Sequence, residues 1–318
     1  MRFLFILSVL FFTGCHYHHK SILKKTQTFT NYFNEQGKKM AYNPTYSHKN
    51  LAQNLKKKHT TLFSNKKLDF SKYTNNTLKE LWKVYYIMSS QSLEKKYFLQ
   101  FKNIFKEIKK RNLDKEKCVM DICAEEFFNV HIKFGNLLEV KQLKEDYPDI
   151  LKQEPVPNVY ESNSILQKPY KLYDVSADGK SIKLISVKME NGPKIVALLS
   201  PTCHFAKLAM NDILSEPDLK NIFKNHALII FPLNISVSPI VEIANWNKDN
   251  PELKYFIYSN REDLKEDWGD FDFTGTPKFY FLKDKKIIHQ FGGWGPTEKE
   301  FKLDLRKAIK QIGLPTTY

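Results

Sequence analysis

Cysteine is scarce in this sequence of 318 residues, which contains only Cys15, Cys118, Cys123 and Cys203. The gap between Cys118 and Cys123 fits no zinc-ligand spacing with partners nearby, so the pattern excludes a structural zinc site. Within one continuous helix these two residues are separated by a rise of about 7.5 Å, which is too far for a disulfide. A bond between them requires the helix to begin after Cys118, and we otherwise interpret both as small buried apolar residues.

Motifs for nucleic-acid binding and long apolar runs are also missing. Lys and Arg number 50 against 35 Asp and Glu, a formal net charge of +15. Such an excess suits nucleic acid, an anionic membrane surface or plain solubility. Because no nucleic-acid motif accompanies the charge, we exclude nucleic acid as a partner and expect weak attraction to anionic lipid headgroups. The apolar run Phe3–Phe12 is too short for a membrane-spanning helix.

The first residues have the pattern of an export signal. Arg2 is followed by the apolar run and then by Thr13-Gly14-Cys15, which predicts a signal peptide over residues 1–14. The end of this segment resembles the lipobox of bacterial lipoproteins, in which the cysteine becomes the lipidated N-terminus, although Phe12 stands where leucine is usual. The resemblance implies an extracytoplasmic protein that is anchored to a bacterial membrane through Cys15 and faces the periplasm. Ordinary signal cleavage is the alternative.

The next two segments differ in composition. Residues 15–67 are rich in Lys, Asn, Thr and His, which predicts a lipid-anchored polar tether with at most a short helix in Leu51–Phe63. Residues 68–152 carry apolar residues at spacings of three and four, which predicts a small all-α domain of about four helices. We interpret its aromatic stripe as core, with a peptide-binding groove as the alternative.

Residues 162–318 predict an α/β domain. Glu154–Asn158, with prolines at positions 155 and 157, has the composition of a linker before it. Apolar residues alternate on both sides of Asp178-Gly179, which predicts a β-hairpin, and further strands then alternate with helices. This order predicts a mixed sheet with flanking helices that is covered on both faces.

Cys203 follows the apolar strand Lys194–Leu199 and precedes an amphipathic helix. The unpaired N–H groups and the positive end of the dipole at a helix N-terminus stabilise a thiolate over a thiol. The pattern therefore predicts a reactive cysteine at a strand-to-helix junction.

This layout resembles the active-site segment of the thioredoxin fold, whose members carry C-x-x-C at such a junction. The corresponding residues here are Cys203-His204-Phe205-Ala206, so the motif is C-x-x-A. Thr276-Pro277, followed by an apolar strand, resembles the cis-proline segment of the same family. The hairpin at Asp178-Gly179 resembles the opening hairpin of the extracytoplasmic TlpA and ResA type. The resemblance spans about Pro169 to Ile312 and implies a thioredoxin-like mixed sheet with flanking helices.

The resemblance also implies roles for individual residues. Cys203 is the expected nucleophile, and Ala206 occupies the position of the missing resolving cysteine. Thr202 stands where tryptophan is frequent, and a protonated His204 would favour the neighbouring thiolate. Thr276-Pro277 is expected to contact the substrate backbone.

Two functional hypotheses remain open. Cys203 alone can begin thiol–disulfide exchange but cannot complete it, so an outside thiol must resolve the mixed disulfide, with Cys118 or Cys123 as a further alternative. The chain is then a possible oxidoreductase whose partners are protein thiols or disulfides of the cell envelope. The competing hypothesis is a redox-inactive, protein-binding module of the envelope. Neither requires a cofactor. A copper site is a minor alternative, because Lys207 stands where copper chaperones of this fold carry a second cysteine, and one sulfur with the imidazole of His289 makes a poor copper site.

Overall fold

A computed structural model describes residues 21–40, 48–64, 68–113, 117–152, 156–233 and 239–316, without the side chains of residues 48, 49 and 117–122. The predicted signal peptide over residues 1–14 and the predicted lipidation site Cys15 lie outside the described residues. The chain divides into two compact units, Met1–Val130 and His131–Tyr318. No helix in the described ranges is long and apolar enough to cross a membrane.

The described part of the first unit is helical. Buried residues recur along its helices at spacings of three and four, so one face of each helix packs inward. Its helices are α1 (21–40), α2 (His48–Phe63), α3 (Asn75–Ser92), α4 (Lys95–Lys110) and α5 (Lys117–Lys133), with a short 3-10 helix at Phe70–Lys72.

The ends of α3 follow from local sequence. Thr74 caps its start, because the Thr74 hydroxyl oxygen accepts a hydrogen bond from the Thr77 backbone N–H at 3.3 Å. Leu93 ends the helix in the left-handed region with φ 52°, and α4 begins two residues later at Lys95. This short connection makes α3 and α4 a helical hairpin.

An aromatic cluster forms the centre of the first unit. The Trp82 ring centroid lies 4.0 Å from that of Phe101 and 5.7 Å from that of Phe105. Phe105 and Phe127 stack at 3.9 Å. The aromatic stripe is therefore packed inside this unit, as the core interpretation expects, and each such pair contributes about 0.5–1.5 kcal/mol beyond area burial.

The polar tether predicted over residues 15–67 is wrong for residues 21–40, which are helical, and α2 contains the short helix that the sequence allowed in Leu51–Phe63. Both helices contribute to a core, which the tether prediction did not expect. Their buried residues, each at most 6% exposed, are Ile22, Thr26, Phe29, Gln36, Leu51, Leu55, His59 and Phe63. The Phe29 ring packs edge-on against His59 and Phe63 at 6.0 and 6.4 Å. Three of the inward positions are polar, and this weakens the apolar periodicity that would otherwise identify the helices.

His59 is enclosed by aromatic rings. Four ring centroids lie 4.9–6.0 Å from its own, those of Phe29, Phe63, Tyr85 and Tyr97. Its Nε2 atom has no hydrogen-bond partner among the described residues. Burial, and in second place the charge of Lys96, lowers the pKa of His59 to about 4. The imidazole is therefore neutral at pH 7.

The second unit contains one sheet and the helices around it. Its elements are α6 (Leu137–Asp146), α7 (Pro148–Leu151), β1 (Asn158–Tyr160), α8 (Asn163–Leu166), β2 (Lys171–Val175), β3 (Ser181–Ser186), β4 (Pro193–Leu198), α9 (His204–Ser215), α10 (Pro217–His226), β5 (Ala227–Pro232), α11 (Ile240–Asp249), β6 (Tyr255–Tyr258), α12 (Glu262–Lys265), β7 (Lys278–Lys283), β8 (Lys286–Gly292) and α13 (Glu298–Gln311).

The sheet has eight strands in the order β1-β3-β2-β6-β5-β4-β7-β8. β4, β5 and β6 are parallel, whereas β7 is antiparallel to β4 and to β8. The predicted hairpin joins β2 to β3, with Gly179 at φ 68° in its turn, a conformation that suits glycine. The prediction of a thioredoxin-like α/β fold with a mixed sheet is confirmed.

Helices and loops cover both faces of this sheet, as predicted. Phe279 and Tyr280 are neighbours in β7 and point to opposite faces. Phe279 packs at 6.4 Å against Phe223 of α10 and at 5.6 Å against Phe301 of α13. Tyr280 packs at 5.0 Å against Phe271, in the segment between α12 and β7. Each face therefore buries aromatic side chains.

The division between the units differs from the predicted boundary. Residues 68–152 and 162–318 were predicted as separate domains joined near Pro155 and Pro157, but the observed division falls between Val130 and His131 inside α5. The second unit consequently includes α6, α7 and β1. The β1 strand is parallel to β3, and the carboxylate of the following Glu161 binds Arg261 at 2.6 Å.

Candidate functional site

Cys203 lies just beyond the end of β4. The strand is buried from Ile195 to Leu199, and the Leu199 N–H extends its pairing by donating to the Ile230 carbonyl oxygen at 2.9 Å. The chain then turns, because the Cys203 N–H donates to the Ser200 carbonyl oxygen at 3.1 Å. This turn places Cys203 beyond the carboxyl-terminal end of β4, where the residue is half-buried.

Cys203 is also the N-cap residue of α9. Its backbone is extended, with φ −81° and ψ 123°, and its carbonyl oxygen accepts the first helical hydrogen bond from the Lys207 N–H at 3.0 Å. The Cys203 side chain makes no capping hydrogen bond, so it leaves the backbone N–H groups of the first turn of α9 uncapped next to the sulfur. The predicted position of the sulfur at a helix N-terminus agrees with the structure.

The Thr276–Pro277 peptide bond is cis and lies beside the sulfur. The Cys203 thiol donates a hydrogen bond to the Thr276 carbonyl oxygen, with 3.5 Å between Sγ and the oxygen. Pro277 is buried while Thr276 is half-buried. The two segments that the sequence identified separately, 73 residues apart, thus meet at one place.

Asp272 fixes the loop that carries the cis bond, a role that the sequence analysis missed. Lys278 Nζ donates to Asp272 Oδ2 at 2.6 Å, and the Thr274 hydroxyl donates to Oδ1 at 2.6 Å. Partial desolvation is the largest single influence on this carboxyl group and favours its neutral form. Its hydrogen bonds to Lys278 and Thr274 and the positive charge of Lys278 together outweigh desolvation and hold the pKa of Asp272 below its ordinary value. The spacing Asp272-x-Thr274, an Asx-type pattern, is the one local signal for this bond.

The loop after β8 forms another side of the site. The Gly293 N–H donates to the Pro277 carbonyl oxygen at 2.9 Å. Next to it, Trp294 Nε1 donates to Asp212 Oδ2 of α9 at 2.6 Å. The loop therefore connects the cis-proline segment to the helix that begins at Cys203. Sequence reasoning missed this connection because its partners are about 80 positions apart.

The remaining predicted site residues differ in exposure. Ala206 is 1% exposed, whereas Phe205 is 53% exposed, and His204 and Thr202 are exposed as well. The Thr202 and Ser200 hydroxyl oxygens are 2.9 Å apart and share a hydrogen bond. Position 206 therefore faces the interior one turn after Cys203, and the exposed ring of Phe205 lies on the outer side of the same turn.

The geometry permits attack by one sulfur and provides no second thiol in the same unit. Cys203 is the only cysteine in the sequence of the second unit. Cys123 is buried in α5 of the first unit, and the side chain of Cys118 lies outside the described residues. Resolution by Cys118 or Cys123 stays a prediction.

The described residues contain no group of three or more His, Cys, Asp or Glu side chains that could hold a metal ion. The groups around Cys203 include the Thr276 carbonyl, the hydroxyls of Ser200 and Thr202, and the loop after β8 that binds Pro277. These groups can position a peptide and a sulfur atom.

Comparison with known proteins adds little to this picture. No protein-family model and no curated protein sequence matches the chain. Among solved structures, it is similar to a thioredoxin-like protein from Bacteroides caccae, with 13% sequence identity and a TM-score of 0.26. That similarity covers 74% of this chain and 79% of the other. Inferences about the site therefore depend on its own geometry.

Proposed function

We propose that this protein is an extracytoplasmic lipoprotein of the TlpA and ResA type that performs thiol–disulfide exchange through the single thiol of Cys203. The observation that carries the proposal is the half-buried sulfur at the start of α9, 3.5 Å from the carbonyl oxygen of the cis Thr276–Pro277 segment. A helix N-terminus favours the thiolate, which is the attacking species. The anchor would be the lipid on Cys15.

The reaction has two balanced steps. The Cys203 thiolate attacks one sulfur of a partner disulfide R–S–S–R′, so that a bond forms between Cys203 and R while the partner bond breaks. R′ leaves as a thiolate and takes up the proton that Cys203 has lost. An outside thiol R″–SH, from a small molecule or another protein, then attacks the sulfur of R. The products are R–S–S–R″ and the restored thiol of Cys203.

The backbone of Thr276 provides a place for the partner chain. Its N–H makes no hydrogen bond among the described residues, and its carbonyl oxygen meets only the Cys203 thiol there. An extended segment pairing with Thr276 would lie alongside the sulfur, in the manner of an added strand. The exposed Phe205 ring offers an apolar contact to the same partner.

Trapping of partners tests the proposal. Because Ala206 supplies no resolving thiol, mixed disulfides should accumulate in cells expressing the unaltered protein. After acid lysis and thiol blocking, non-reducing gels should show slow-migrating bands that contain the protein and disappear with reductant. Cys203→Ser should abolish these bands. The matched variant Cys123→Ser removes a buried sulfur in the first unit and should retain them.

The same experiment addresses the competing function, a redox-inactive binding module. The hydrogen bond from the Cys203 thiol to the Thr276 carbonyl oxygen favours that function, since it engages the sulfur with the protein's own backbone. A binding module would give no adducts and would retain its partners in Cys203→Ser pull-downs. That result would eliminate the exchange hypothesis.

A further inference from the structure

Almost all of the net positive charge of this protein belongs to one of its two units. Residues 1–130 contain 24 Lys and Arg against 10 Asp and Glu, a net charge of +14. Residues 131–318 contain 26 against 25, a net charge of +1. Solubility alone does not explain this separation, whereas an electrostatic contact made by the first unit would account for it.

Helix α4 concentrates this charge. It carries six lysines and a single acidic residue, Glu107. Its apolar face is buried through Tyr97, Phe98, Phe101, Ile104, Phe105 and Ile108. The polar face is therefore the outer surface of a folded unit, and its orientation is fixed by that core.

A narrow stripe on this outer face combines charge with one apolar side chain. At 100° per residue, Lys95, Leu99, Lys106 and Lys110 fall within about 60° of arc. All four are exposed, and Leu99 is 48% exposed. The three lysines have no carboxylate within salt-bridge distance among the described residues. We call these four residues the α4 stripe.

We propose that the α4 stripe binds the surface of an anionic lipid bilayer. Lysines on long apolar stems place their ammonium groups among anionic headgroups, and an apolar side chain between them enters the boundary with the acyl chains. A nucleic-acid backbone would match the lysines but would leave Leu99 against phosphate and sugar. This contact depends neither on Cys203 nor on the proposed lipid anchor.

Vesicle binding by the full chain tests the proposal, with Cys15→Ser present throughout so that no acyl chain contributes. The probes are vesicles of mixed phosphatidylglycerol and phosphatidylcholine, with pure phosphatidylcholine vesicles as the baseline for any binding by the apolar N-terminal run. Each surface lysine contributes roughly a factor of five to such binding. Lys95→Gln/Lys106→Gln/Lys110→Gln should therefore lower the partition coefficient on mixed vesicles about 100-fold.

A matched triple variant separates location from net charge. Lys188, Lys220 and Lys299 of the second unit are exposed, and their replacement by Gln removes the same charge elsewhere. That variant should bind within a few-fold of the parent, and circular dichroism checks that all variants are folded. Leu99→Asn should weaken binding to mixed vesicles without changing retention on heparin.

Three results would overturn the proposal. The first is equal binding by the two triple variants. The second is parent binding that is no stronger on mixed vesicles than on phosphatidylcholine. The third is unchanged vesicle binding by Leu99→Asn, which would indicate a general polyanion contact.

Discussion

Acid should destabilise the first unit through His59. The unfolded chain binds a proton at this imidazole near pH 6.5, but the folded unit binds it only near pH 4. Because the pKa is lower in the folded state, the stabilisation by the neutral ring is complete above pH 6.5. It decreases as the pH falls and is fully lost below about pH 4.

The size of the effect follows from these two pKa values. The free energy of unfolding of the first unit should fall by about 2 kcal/mol at pH 5 and by about 3 kcal/mol below pH 4. Among the described residues, the rings of Phe29, Phe63, Tyr85 and Tyr97 form an aromatic cage around the imidazole that contains no carboxylate, and the charge that acts on it, that of Lys96, is positive. A loss of this size is a large fraction of the stability of a small domain.

His59→Phe provides the comparison, because it retains an aromatic ring in the cage and cannot titrate. The free energy of unfolding of this unit can be measured from the urea dependence of hydrogen exchange in peptides from α2 and α3. Between pH 7 and pH 5 the parent should lose about 2 kcal/mol more than His59→Phe. Lys96→Gln should reduce the pH dependence slightly. Equal losses in the parent and His59→Phe would refute this account of the cage.

Three further predictions concern the rest of the chain. Ala206→Cys places a second thiol one turn after Cys203, so this variant should form fewer trapped adducts and should be able to reduce the disulfides of insulin. Adducts that persist at the parental level would show that a thiol at position 206 cannot reach the Cys203 sulfur. Mass spectrometry of the mature N-terminus should detect a diacylated or triacylated Cys15, and a product with a different, unacylated N-terminus would contradict the lipoprotein assignment. A chain beginning at Ser162 lacks β1 and the Glu161 carboxylate that binds Arg261 and Tyr173. Its unfolding midpoint, followed by circular dichroism, should therefore lie at a lower urea concentration than that of a chain beginning at His131. Equal midpoints would show that residues 131–161 add no stability.

The central part of the site could be predicted because its signals are local. The apolar run of β4 is followed within five residues by Cys203 and then by a helical pattern. Thr276-Pro277 is likewise a two-residue signal followed by a strand. Such patterns depend only on neighbours in sequence, and in this fold the Cys203 segment and the Thr276-Pro277 segment come into contact.

The surroundings of the site could not be predicted in the same way. The bond from Trp294 to Asp212 spans 82 positions, and neither residue has a local pattern that identifies the other. Helix α1 and the packing of α2 into a core were missed for a related reason, since Thr26, Gln36 and His59 are buried at positions where a periodicity search expects apolar residues. In both cases tertiary contacts decide the role of a polar residue.

The burial of Ala206 bears directly on how a single-cysteine site would behave. Position 206 is 1% exposed while Cys203 is half-buried, so a resolving thiol at position 206 would be shielded from solvent and would act only on a sulfur already joined to Cys203. With alanine there, the lifetime of the mixed disulfide is set by the access of an outside thiol to the sulfur of the partner. The half-life of the adduct should therefore shorten in proportion to added glutathione, whereas resolution by Cys118 or Cys123 would make it independent of glutathione.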